Sequence, residues 1–157
     1  MSKDLREHLL DYLNNPHTHG SLLDAARDFP QQFINVKPEG LPYSFWGMLE
    51  HIRISQFDMI DFMQNSNYKE LKWPKDYWPD PSVKATKKMW DESISMFEKD
   101  LETLKKIIEN PVVDLFAVIP HGSGQTMFRE VMQIIDHNSY HIGQLIVMRR
   151  IINQWKD

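Results

Sequence analysis

Two histidines, His137 and His141, stand four residues apart near the end of a 157-residue chain. On an α-helix that spacing stacks both imidazoles on one face, a turn apart. At 100° per residue the same face carries Glu130, Ile134, Leu145 and Met148, so the pair points inward, while Asp136, Ser139 and Gly143 point away. A buried ring nitrogen without a partner is costly. An i, i+4 histidine pair is the device by which zinc enzymes bring two nitrogens to one ion. The competing reading is a buried pair satisfied by a carbonyl, a carboxylate or water. Two ligands would also leave a metal site incomplete, so a third must come from another helix.

His51 is the candidate. It lies in the row Met48, His51, Ser55, Asp58, Phe62, at the shoulder of an apolar stripe, from which it could reach a neighbouring helix. A surface histidine is the alternative, and periodicity does not decide between them. The remaining histidines are weaker candidates. His17 and His19 flank a helix start and read as solvated, and His8 sits opposite the line of Leu5 and Leu9 or at its edge. His121 lies in a glycine-rich loop that leads into the histidine-bearing helix. Cysteine is absent, so a metal here would be held by nitrogen and oxygen alone.

The elements that must position these residues read as helices broken at prolines. Residues 3–13 place Leu5, Leu9, Tyr12 and Leu13 at helical spacing, and Asn14-Asn15-Pro16 ends the run. A second segment, about 17–29, stops before Pro30. Ser44 is a good N-cap for a helix to about Asn65, with Phe45, Leu49, Ile52, Met59 or Ile60, and Met63 as its stripe. The prolines of 66–82 forbid regular helix, and Trp73, Tyr77 and Trp78 point to a loop packed over the other elements. Trp90, Ile94, Phe97, Leu101, Leu104 and Ile108 alternate steps of four and three, a long amphipathic helix ending before Pro111. The β-branched run Val112–Ile119 reads as extended. Thr126 caps a last helix to about Trp155. Long helices joined by irregular crossovers imply an all-α four-helix bundle, with residues 1–157 as one domain.

Composition bounds the function. Lysine and arginine number 18 against 22 acidic residues, a net charge of −4, which gives no electrostatic reason to expect nucleic-acid binding. The first residues mix charges with leucines and contain no signal-peptide core. No window reaches the roughly 18 apolar residues of a membrane span. A soluble, cytoplasmic protein is the expectation.

Two segments carry a family resemblance. Gly47-Met48-Leu49-Glu50-His51-Ile52, followed by Gln56, resembles the first-histidine motif of the DinB-like superfamily. Asp136-His137-Asn138-Ser139-Tyr140-His141-Ile142-Gly143-Gln144 resembles its second motif, and the separation of 86 residues between His51 and His137 fits. The approach Leu41-Pro42-Tyr43-Ser44-Phe45-Trp46 is similar too. The resemblance implies a bundle with a divalent metal on His51, His137 and His141, often in a homodimer. It also implies kinship with metal-dependent transferases of low-molecular-weight thiols such as bacillithiol, mycothiol or glutathione. Three neutral imidazoles leave coordination positions open, and ligand type does not choose among zinc, nickel, iron and manganese. A thiol S-transferase acting on small electrophiles is therefore the leading expectation; a metal-dependent hydrolase and a non-catalytic metal-binding bundle stand beside it. Glu130 and Asp58 are candidates for general base or for orienting a ligand histidine, and both could equally be ordinary charges. Gln144 could touch a ligand, His121 could line the pocket, and Tyr140 reads as packing. The tryptophan-rich loop could wall a pocket or join a dimer interface.

Overall fold

The computed structural model describes residues 3–14 and 18–155. The helix stop at Asn15-Pro16, the start of the 17–29 segment and His17 lie outside them. Five helices form among the described residues: α1 (Lys3–Asn14), the short α2 (Leu22–Ala26), α3 (Phe45–Gln64), α4 (Lys87–Glu109) and α5 (Met127–Ile151). Among the described residues there is no strand, only an isolated bridge between Val118 and Thr126. The four long helices make the bundle. α3 packs between α4 and α5, with α1 against α4 and α2 against α5.

Ser44 and Thr126 cap where the sequence places them, and Thr86 adds a cap that the sequence reading did not name. Ser44, Thr86 and Thr126 accept the backbone N–H of Gly47, Met89 and Arg129, opening α3, α4 and α5. On α4 the periodic residues Trp90, Ile94, Phe97, Leu104 and Ile108 are buried. On α3 burial is broader than a single stripe. Met48, His51, Ser55 and Asp58 are as enclosed as Phe45, Leu49 and Ile52, because a helix with a neighbour on either side hides more than half its circumference.

The apolar core has two compartments. One joins Leu22, Phe29, Phe45, Ile52, Trp90, Ile94, Leu145 and Met148. The other joins Leu9, Met59, Met63, Leu104, Ile108, Leu115 and Ile134. Polar side chains lie between them along α3 and α5. Gln56, fully buried, donates from Nε2 to the Phe97 carbonyl at 2.9 Å and accepts from Asn138 Nδ2 at 2.8 Å, so one amide links three helices. The histidines occupy the same level of the bundle.

Three segments differ from their sequence reading. Within the 17–29 segment only Leu22–Ala26 is helical; a capping box of Ser21 and Asp24 starts it, and Asp28 at φ 55° turns the chain away. Val112–Ile119 is a series of turns rather than extended chain. Asn110 and Asp114 accept the N–H groups two residues on, which breaks the run and sends Leu115 and Ile119 into the core. The last helix stops at Ile151, where Asn153 at φ 55° turns the chain and Arg149 Nε donates to the Gln154 carbonyl. The crossover of 66–82 is irregular, with one 3-10 turn at Lys75–Tyr77. Tyr77 and Trp78 fold onto the bundle, but Trp73 remains 71% exposed.

Candidate metal centre

The three histidines converge. One ring nitrogen from each of His51, His137 and His141 lies within 4.8 Å of the others, the only such cluster of possible metal ligands among the described residues. The ring centroids are 4.5–5.1 Å apart. His51, only 2% exposed, comes from the middle of α3, and the other two come from successive turns of α5.

Hydrogen bonds fix the rings. His51 Nδ1 lies 2.9 Å from the Tyr77 carbonyl oxygen, which can only accept, so Nδ1 carries the proton. His141 Nδ1 faces Gln144 Oε1 at 2.7 Å and donates likewise. In the neutral rings both Nε2 atoms then bear bare lone pairs, and these face each other at 3.2 Å. Two acceptors at that distance cannot share a proton, and they repel unless a cation lies between them. His137 adds an orphan, for its Nδ1 is buried without a hydrogen-bond partner. An acceptor pair beside a third unsatisfied imidazole fits a divalent ion whose ligands are neutral nitrogens.

Protonation favours the same state. Burial, reinforced by the two neighbouring imidazoles, pushes His137 down to about 4. Burial also lowers His51 and His141, partly offset by the Tyr77 carbonyl and by Gln144. All three rings are neutral at pH 7, as metal binding requires. The pH dependence of the metal-free protein follows. An unfolded histidine protonates near 6.5, whereas folded His137 resists until about 4, so the unfolded state binds more protons between those values. Stability should be full above pH 6.5, fall through this window and level off for this group below 4. Urea unfolding of chelator-treated protein at pH 7 and 4.5 checks it, and His137→Gln should flatten the difference.

The crossover supplies the cover. Trp78 stacks on His51 with centroids 4.0 Å apart and planes 1° from parallel, and Tyr43 stacks on Trp78 in turn. Asp58 makes no hydrogen bond to a histidine among the described residues. Its two oxygens accept from the Tyr68 and Tyr77 hydroxyls at 2.9 and 2.6 Å; burial first, and then these bonds and the Asp58 charge, push both phenols well above their ordinary range. Asp58 thereby pins the turn whose carbonyl orients His51. Glu130 is 3% exposed and pairs with Arg129 rather than with an imidazole. Gln144 is the contact of His141. His121 holds its loop to the Phe62 carbonyl at 2.7 Å. Tyr140, 63% exposed, sets its ring edge against His141. Sequence reasoning missed the Tyr77 carbonyl, a backbone acceptor with no side-chain signature. It also left open the role of Trp78, whose only signal was its place in a proline-rich aromatic loop.

A cleft of about 590 Å³ opens beside His137, walled by Ser55, Asp58, Tyr77, His121, Glu130 and Gln133 among others. Of the three histidines, His137 lines this cleft.

Two helices presenting three inward histidines within an all-α bundle define a candidate mononuclear metal site on a helical scaffold. The sequence model of the DinB superfamily matches residues 17–145, and the chain belongs to that superfamily. No curated protein and no solved structure matches the chain. No helix among the described residues is long and apolar enough to cross a membrane.

Proposed function

We propose that the protein is a divalent-metal enzyme that transfers a low-molecular-weight thiol to small electrophiles, with His51, His137 and His141 as ligands. The observation that carries the metal is the facing of two bare Nε2 atoms at 3.2 Å, each on a ring whose Nδ1 is committed to a carbonyl oxygen. A bound ion of this kind supplies Lewis acidity that makes a thiol or water a nucleophile near neutral pH. The choice of a thiol rests on the resemblance, and the lack of cysteine in the chain fits sulfur arriving as a cosubstrate without demanding it. In the transfer, the thiol gives up its proton, its sulfur forms a bond to the electrophilic carbon, and the leaving group departs with its bonding electrons. We assign that proton to Glu130, a carboxylate buried on the cleft wall and paired with Arg129. The Tyr77 carbonyl and Gln144 hold the rings in the tautomer that presents Nε2.

Elemental analysis of untagged protein tests the reading. We expect about one divalent ion per chain, lost in His51→Ala, His137→Ala and His141→Ala, and conjugation of a chloroarene to bacillithiol or glutathione that disappears with the metal. Stoichiometric metal with no conjugation to any thiol, but with hydrolysis of activated esters or amides, would move the assignment to a hydrolase. Metal retained by all three variants would end it.

A further inference from the structure

We propose that a second cavity, at the N-terminal end of α3, binds a small aromatic carboxylate. It measures about 380 Å³, within the range of small-molecule pockets, and is distinct from the cleft beside His137. Its walls include Tyr43, Trp46, Trp78 and Pro81; Trp46 is buried and Trp78 lies between His51 and Tyr43, so a planar ring would meet the rings of Tyr43 and Pro81 and the edge of Trp78. Lys37 and Lys84 stand on its rim, exposed and without an acidic partner. Asp80, also on the wall, has Oδ1 committed to the Ser82 N–H and hydroxyl at 2.8 and 2.7 Å. The walls are braced. Asn35 and Ala85, across 50 residues, exchange two hydrogen bonds of 2.9 and 2.8 Å.

The helix end does not recognise the anion through free donors. The N–H groups of Phe45, Trp46 and Gly47 are taken by the Val36 carbonyl, the Ile34 carbonyl and the Ser44 hydroxyl. The helix contributes its positive end, and the two lysines supply the discriminating charge. Aromatic walls with a cationic rim select a ligand that is flat at one end and anionic at the other. Such a ligand would touch the Trp78 ring that covers His51.

The probe is 2-naphthoate, titrated by calorimetry and by the indole N–H resonances of the protein. We expect saturable one-to-one binding, with shifts concentrated on Trp46 and Trp78 and unchanged after treatment with a chelator. Binding should weaken about tenfold or more in K37E/K84E, a pair of exposed changes, and for the neutral probe 2-naphthylmethanol. Equal affinity for acid and alcohol, indifference to the charge reversal, dependence on metal, or no saturation at millimolar probe would each overturn the proposal. A proline-rich peptide binding the same indoles more tightly than naphthoate would also overturn it, making the surface a peptide groove. None of these outcomes counts against metal at the histidine site or thiol transfer there, so the two proposals fail separately.

Discussion

Trp90→Ala is expected to remove about 3–5 kcal/mol of stability and lower the thermal midpoint by roughly 10 °C or more. The ring is fully buried where α4 meets the segment after α2, stacked on Phe29 with centroids 4.9 Å apart. Its Nε1 donates to the Ala26 carbonyl at 3.0 Å, across 64 residues of sequence. Alanine would leave a cavity the size of an indole and strand that carbonyl, and the two costs add. Trp90→Phe refills much of the volume but not the hydrogen bond, so it should fall between. Thermal and urea unfolding of the two variants separates the terms. Equal loss in both would mean that the hydrogen bond, rather than the packing, dominates.

The second large effect is on metal affinity. Asp58→Leu should weaken metal binding about 10–100-fold, although Asp58 lies outside the ligand set and its hydrogen bonds go to two tyrosines. Leucine leaves the Tyr68 and Tyr77 hydroxyls without their acceptor, frees the 3-10 turn and lets the Tyr77 carbonyl drift from His51 Nδ1. Asp58→Asn keeps one acceptor oxygen and adds a donor that a phenol oxygen can take, so it should restore most of the affinity. Competition with a chromophoric chelator gives the numbers. Loss of stability in Asp58→Leu with unaltered metal affinity would reduce the residue to a structural anchor.

The legible part of this site is the part written in helical spacing. His137 and His141 reveal a shared face because four residues make about one turn, and Ser44 and Thr126 reveal where their helices begin. His51 was ambiguous for a physical reason. Periodicity marks the boundary between core and solvent, and α3 has little such boundary, since α4 and α5 enclose both sides. Asp58 and Glu130 are, from sequence, equally candidates for a base or a histidine-orienting group and ordinary charges; in the fold one holds two tyrosines and the other an arginine. Those partners come from a loop and from an adjacent position, and no period relates them to the histidines. The Val112–Ile119 run misled because side-chain preference suggested strand, while Asn110 and Asp114 bent the backbone locally.

The amide of Gln56 has a mechanical consequence. Four amphipathic helices with purely oily contacts can slide past one another at little cost, because one apolar side chain substitutes for the next. Gln56 removes that freedom. It is an index pin between Phe97 and Asn138, and a slip of one turn, about 5.4 Å, would leave the buried side-chain amides of Gln56 and Asn138 without these partners. His137 sits one residue before Asn138, and His51 lies five before Gln56. The pin that aligns the helices therefore also sets the heights at which imidazoles from different helices meet.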